Sequence, residues 1–168
     1  MSKSNIQPLN ISNIKFLWSY SIFTRDGGSK RSKITQFDNF TIGIHLSTSN
    51  AVNPGSDGTL DNITLTNLKI TNNKSQGVLG GANNLILSDS YFENNGSGTV
   101  FDHNIYLARG NGLVISNNEL YRSSLNASGE CNGVPLVAHG TINNLLIENN
   151  TIREDIGKTT LGCWGLIV

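Results

Sequence analysis

The segment FDHNIYLARG, residues 101–110, gathers side chains that could carry acid–base chemistry. His103 changes protonation near neutral pH, Tyr106 has a hydroxyl that can donate a proton, and Arg109 is a permanent cation. These residues sit among Asn and Gly and beside short apolar runs. They either form a reactive site or are the outward-facing residues of a repetitive scaffold, so the elements that position them decide the interpretation.

The composition predicts one domain that contains little helix. A chain of 168 residues is long enough for a single continuous core. It contains 24 Asn and 18 Gly but only 5 Ala, which favours turns and left-handed backbone over helix. Only 14% of the residues are charged and the formal net charge is zero, which argues against nucleic acid or an anionic membrane as partner.

The first residues, MSKSNIQPLN, contain no apolar run typical of a signal peptide, and no stretch approaches the roughly 18 apolar residues of a membrane span. Location in the cell is therefore open, and export would require a non-classical route or a removed leader. Two cysteines match no zinc or redox spacing. We expect no metal and no cofactor.

A repeat organises the chain. Four copies of one pattern begin at Ile63, Leu85, Leu113 and Leu145, with successive periods of 22, 28 and 32 residues. In each copy, two apolar residues alternate with other residues, an Asn or Asp follows, and a third apolar residue comes three positions later. This pattern predicts a strand, a turn and a second strand. Because the pattern survives while the loops lengthen, it favours stacked coils.

Further strand-like runs lie between the copies, at residues 41–46, 77–79, 104–108, 133–137 and 164–168. Short strands without intervening helices predict an all-β, right-handed parallel β-helix as a single domain over residues 1–168. Residues 39–168 would form the stacked coils. Residues 1–38 would form a less regular coil with a basic loop at Lys30, Arg31 and Lys33. A polar ladder at one corner is expected from Asn67, Asp89, Asn117 and Asn149.

Over residues 39–168, the NLxIxNNxI repeats and the HNIYL strand resemble the pectate-lyase-like superfamily of right-handed β-helix proteins. The superfamily includes polysaccharide lyases, hydrolases, epimerases and phage tailspike depolymerases. The resemblance implies a carbohydrate partner. It does not assign a catalytic residue, because one fold supports many activities.

Strand alternation places the candidate side chains. If Ile105 and Leu107 point inward, Asn104 and Tyr106 point outward, and His103 and Arg109 occupy the bends at the strand ends. Two coils earlier, His45 is expected to point outward between Ile44 and Leu46. One coil later, Pro135 is expected in the outward slot between Val134 and Leu136, with His139 just beyond that strand. All three residues His103, Tyr106 and Arg109 would then reach solvent on one side.

An acidic polysaccharide can be cleaved by β-elimination, which needs a cation for the uronate, a base and a proton donor. Arg109, His103 or His139, and Tyr106 offer those groups. Hydrolysis would need two carboxylates about 5 to 10 Å apart, and the repeat places no clear pair on one face. The catalytic candidates are His103, Tyr106, Arg109 and His139, and the substrate-binding candidates are His45, Tyr106, Tyr121 and Arg122.

Two of the candidate residues also have simpler interpretations. His103 could bond backbone groups at a bend, and Tyr106 could stack on a sugar without chemistry. A metal site from Asp102, His103 and a carboxylate has no supporting spacing. We therefore expect a protein that acts on or binds an acidic polysaccharide, with a lyase favoured over a hydrolase. The alternative is a non-catalytic sugar-binding or structural segment of a larger fibre or tailspike. A protein that acts on polysaccharide would be extracellular or virion-associated.

Two further predictions concern Val168 and the cysteines. The apolar strand that stops at Val168 predicts a further stretch of chain, or a second copy, that covers the open coil. Cys131 and Cys163 each lie 18 residues after the start of a repeat, at Leu113 and Leu145. Equivalent residues in stacked coils lie about 4.8 Å apart. A stacked pair of reduced thiols is expected, with a disulfide as the alternative.

Overall fold

The computed structural model describes residues 9–10, 35–46 and 60–168. In this part of the chain every regular element is a β-strand, and no helix could cross a membrane. The strands are β1 (Leu9–Asn10), β2 (Thr35–Asp38), β3 (Ile42–Leu46), β4 (Leu60–Asp61), β5 (Ile63–Thr66), β6 (Leu68–Thr71), β7 (Gln76–Asn83), β8 (Ile86–Ser88), β9 (Tyr91–Asn95), β10 (Ile105–Ser116), β11 (Glu119–Ser123), β12 (Leu136–Glu148), β13 (Thr151–Arg153) and β14 (Leu166–Ile167).

The strands stack in parallel as three faces of a solenoid. Face A consists of β3, β7, the first halves of β10 and β12, and β14. Face B consists of β1, β5, β8 and the second halves of β10 and β12. Face C consists of β2, β6, β9, β11 and β13. The predicted fold class, an all-β parallel β-helix, is confirmed.

The repeat periods are also confirmed on face B. Thr64 pairs with Ile86, Ile86 with Val114, and Leu113 with Leu145, which are steps of 22, 28 and 32 residues. Inward side chains fill a continuous core, and Leu65, Leu87 and Ile115 have no exposed surface. The last coil is less covered, since Leu145, Ile147 and Ile152 are only partly buried.

The predicted ladder forms one residue later than expected. Asn67, Asp89, Asn117 and Asn149 do occupy the bends between faces B and C, with φ between 51° and 57°. Among the described hydrogen bonds, however, none joins one of these four side chains to another. The next residues, Ser90, Asn118 and Asn150, form the ladder instead.

The left-handed bend explains this one-residue shift. A residue with positive φ turns its side chain away from the core, so the following side chain points inward, where backbone groups need partners. Asn118 Oδ1 accepts the Ser90 N–H at 3.1 Å, and Asn118 Nδ2 donates to the Leu87 carbonyl at 2.9 Å and to Asn150 Oδ1 at 3.0 Å. The buried amides therefore link successive coils.

The expectation of reduced thiols is wrong, because Cys131 and Cys163 form a disulfide with their α-carbons 5.4 Å apart. The two residues do not occupy the same register position. Cys131 pairs with Thr159 and not with Cys163. Cys163 lies at a turn, where its N–H donates to the Thr160 carbonyl at 3.1 Å. A residue in a turn can aim its side chain at its neighbour, whereas two stacked strand residues point in parallel.

Most of the predicted N-terminal segment, residues 1–38, lies outside the described residues, and so do Lys30, Arg31 and Lys33. Its last four residues form β2, which pairs with β6 on face C.

Candidate functional site

Tyr106 lies in the middle of face A. Its neighbours Ile105 and Leu107 are fully buried, and Tyr106 points outward, as alternation predicts. Along the stack, Tyr106 pairs with Leu79 on one side and with Val137 on the other. His45 alternates with the buried residues Ile44 and Leu46, as predicted, but its Nε2 atom is buried. Because β7 lies between β3 and β10, His45 is on the same face as Tyr106 but not on a neighbouring strand.

The outward position expected for Pro135 is wrong, because Pro135 is buried and lies just before β12. Val137 pairs with Tyr106, because β12 begins at Leu136 and runs in register with β10. His139 lies inside β12, two residues after Val137, so it emerges on the same side of the sheet as Tyr106. The Tyr106 hydroxyl and His139 Nε2 are joined by a hydrogen bond of 3.0 Å. Their rings meet edge to face with centroids 5.2 Å apart.

His103 does not reach solvent, contrary to the prediction. Its side chain is 5% exposed, and its Nδ1 lies 2.9 Å from the Val134 carbonyl oxygen. Burial lowers the pKa of His103, although the bond to the Val134 carbonyl opposes that shift. The His103 ring stacks against the Tyr106 ring at 5.4 Å with an interplanar angle of 16°. His103 therefore bonds a backbone group at the bend, which is the simpler role considered from sequence, and its ring also packs against Tyr106.

Consecutive side chains in the bend before β10 point inward. The outward positions predicted from strand alternation are therefore wrong in this bend. Asn104, predicted outward, is fully buried and accepts a hydrogen bond of 2.7 Å from Asn95 Nδ2. Asp102 is also buried, and its carboxylate accepts bonds from Ser75 and Ser97. With its oxygens engaged in closing these loops, Asp102 is not arranged as a ligand beside His103.

Arg109 lies at the far end of the same strand segment. A register irregularity between Leu107 and Arg109 pairs Arg109 with Gly81 and Thr141. A β-carbon at Gly81 would lie 2.0 Å from the Arg109 carbonyl oxygen, so only glycine fits beneath it. Arg109 helps to line a shallow surface cleft of about 420 Å³, together with Asn83, Ala108, Gly110, Asn111, Gly140, Thr141 and Asn143.

Face A thus carries a small cluster made of Tyr106, His139 and His103, with the Arg109 cleft beyond it. Burial raises the pKa of Tyr106, which keeps its hydroxyl protonated at neutral pH. No protein-family model, curated protein or solved structure matches the chain.

Tyr121 and Arg122 lie on face C, in a different sheet from Tyr106. The Arg153 guanidinium lies 3.7 Å from the Tyr121 ring centroid, and Arg122 lies 4.7 Å from it. The Tyr121 hydroxyl donates to Asp155, and this bond is the main cause of a lowered Asp155 pKa. The predicted binding residues are therefore divided between two faces.

The partners of this face C network were not predicted as site residues. Arg122 pairs with Asp155 at 2.9 Å and with Glu93 at 3.6 Å, while Arg153 pairs with Glu119 at 2.6 Å. The register of 32 residues, which places Tyr121 beside Arg153, was the available signal. Because its charges are paired with one another, the network is a cross-coil brace that holds Tyr121 and Arg122 in place.

Proposed function

We propose that the protein binds an acidic polysaccharide along face A and cleaves it by β-elimination. The observation that carries the proposal is the hydrogen bond between Tyr106 and His139, two outward groups suited to proton transfer on one sheet surface. The Arg109 cleft on the same face supports it, because a guanidinium near that edge can stabilise a carboxylate. The resemblance to the pectate-lyase-like superfamily is consistent with this assignment.

In the proposed reaction, His139 removes the proton next to the uronate carboxylate, and the electron pair left behind forms a carbon–carbon double bond. The glycosidic bond breaks, and Tyr106 delivers its proton to the departing oxygen. Arg109 offsets the negative charge that develops on the carboxylate. His103 acts as a positioning residue, because its ring stacks beneath Tyr106 and its Nδ1 contacts backbone.

The second candidate is sugar binding without cleavage, within a larger fibre or a tailspike-like assembly. It is favoured by the partly buried apolar side chains of the last coil, Leu145, Ile147 and Ile152, which a further coil or a second copy would cover. In that case Tyr106 and His139 would serve as a stacking platform for sugar rings.

Incubation with a panel of uronate-containing polysaccharides separates the two candidates. Cleavage by elimination leaves an unsaturated product, whose ultraviolet absorbance would grow with time. Wild-type protein is expected to produce it from at least one polymer, and His139→Ala is expected not to. Binding with no absorbance change would favour the second candidate, and neither binding nor cleavage across the panel would contradict both.

A further inference from the structure

Three side chains with metal-ligating atoms meet away from face A. The sulfurs of Cys131 and Cys163 and a carboxylate oxygen of Glu154 all lie within 4.8 Å of one another. Glu154 follows β13, and the two cysteines come from loops of adjacent coils. In the structure the sulfurs are bonded to each other, so they cannot act as thiolate ligands in this state.

We infer that reduction of the Cys131–Cys163 disulfide creates a Zn²⁺ site whose protein ligands are the two thiolates and the Glu154 carboxylate. A dithiol reductant supplies the two electrons and two protons that convert the disulfide to two thiols, and is itself oxidised to a disulfide. Zinc binding then displaces both thiol protons to solvent. Water would complete a tetrahedral set.

The segments that carry the ligands are held independently of the sulfur–sulfur bond. The Cys131 N–H donates to the Lys158 carbonyl at 2.8 Å, and the Cys131 carbonyl accepts the Thr160 N–H at 2.9 Å. The Cys163 N–H donates to the Thr160 carbonyl at 3.1 Å. These backbone bonds would keep the two thiolates near their present 5.4 Å α-carbon separation after reduction.

Glu154 is oriented for the same point. Its Oε1 accepts the Ser123 N–H at 2.8 Å, and no other described residue bonds to the carboxylate, which leaves Oε2 for a cation. A ligand fixed by a backbone hydrogen bond loses little freedom on binding metal. Cys131 is fully buried, whereas Glu154 and Cys163 are partly exposed, so ion and water can enter from their side.

The donor types select the metal. Thiolates favour zinc and other borderline or soft ions over Mg²⁺ and Ca²⁺, which take oxygen ligands. Three protein ligands with one open position are typical of reactive zinc sites, whereas structural sites have four. The site formed by Cys131, Glu154 and Cys163 is distinct from face A, and metal binding there does not depend on polysaccharide binding.

Cobalt provides the test, because Co²⁺ replaces Zn²⁺ and absorbs light. The full-length chain is reduced with a phosphine, the phosphine is removed under oxygen-free conditions, and Co²⁺ is then titrated in. The expected result is one Co²⁺ per chain, with thiolate charge-transfer bands and the visible spectrum of tetrahedral cobalt, both removed by Zn²⁺. The oxidised protein is expected to give neither band.

Glu154→Gln keeps both cysteines and can be purified with its disulfide intact. After reduction it is expected to bind Co²⁺ roughly tenfold more weakly or worse, because even the loss of a group that only orients a metal ligand has about this effect. Glu130→Gln, beside Cys131 but bonded to Asn126, is the matched control and should bind as wild type does. Equal affinity in Glu154→Gln, no Co²⁺ bound by reduced protein, or loss of β-sheet circular dichroism despite added metal would each overturn the inference.

Discussion

The Tyr106 hydroxyl and His139 Nε2 lie 3.0 Å apart although 33 residues separate them in the sequence. The contact exists because β10 and β12 are in register at Tyr106 and Val137, and His139 returns to the outer side two residues later. One turn of the solenoid therefore brings a proton donor and an acceptor together. Because both side chains of this pair point away from the core, each can be substituted without changing the core packing.

Tyr106→Phe is expected to preserve the ring that stacks on His103 while removing the bond to His139. Under the proposed mechanism, oligosaccharide affinity should change by less than about threefold, because ring contacts dominate sugar stacking. Turnover should fall by about 10² or more, the usual contribution of a general acid. Calorimetry and product absorbance measure the two quantities. Undiminished turnover in Tyr106→Phe would remove the tyrosine from the reaction.

His103 predicts a pH dependence of stability. Because burial lowers its pKa below 6.5 in the folded protein, the unfolded chain binds the proton more readily. The stability contributed by neutral, buried His103 is therefore fully present above pH 6.5 and is lost as the pH falls through the lowered pKa of His103 in the folded protein. Urea midpoints measured from pH 7.5 down to pH 5 should decline in wild type and decline less in His103→Gln. Equal slopes in the two proteins would rule out His103 as the cause.

Ile115→Asp should prevent folding or cost more than about 4 kcal/mol, because an unpaired charge would enter a fully buried position. Ile147→Asp should cost less, since Ile147 in the last coil is only partly buried. Thr64→Asp, which points outward on the same face, is the control and should change the unfolding free energy by less than about 1 kcal/mol. Similar losses at Ile115 and Thr64 in urea melts would contradict the assigned strand phase.

Asn118→Ala should destabilise the protein by about 2 kcal/mol or more. The substitution leaves the Ser90 N–H and the Leu87 carbonyl without their partner, and each such buried group costs about 1 to 3 kcal/mol. Asn117→Gly changes the neighbouring left-handed bend, where glycine is tolerated, and should be nearly neutral. If Asn117→Gly proved the more damaging substitution, the ladder would belong to the bend residues after all.

The repeat period and the inward apolar residues were sufficient to predict the solenoid and the outward position of Tyr106. The errors arose where the chain leaves strand geometry. Alternation could not show that the bend at His103 folds inward, because that depends on hydrogen bonds to Gln76 and Val134 from other coils. The disulfide was missed for a related reason, since a turn at Cys163 changes the register. Contacts between the loops of successive coils produce no periodic pattern in the sequence, so they could not be predicted from the repeat.

The most direct test of binding on face A is calorimetric titration of a uronate oligosaccharide into wild-type protein, Tyr106→Ala and Tyr121→Ala. Tyr106 is outward on face A, and Tyr121 is braced between arginines on face C, so the pair compares the same substitution on two faces. Tyr106→Ala is expected to bind at least tenfold more weakly, because it loses a ring contact worth about 1.5 kcal/mol. Tyr121→Ala should bind as wild type does. Unchanged affinity in Tyr106→Ala, or a loss confined to Tyr121→Ala, would contradict the assignment of the binding surface to face A.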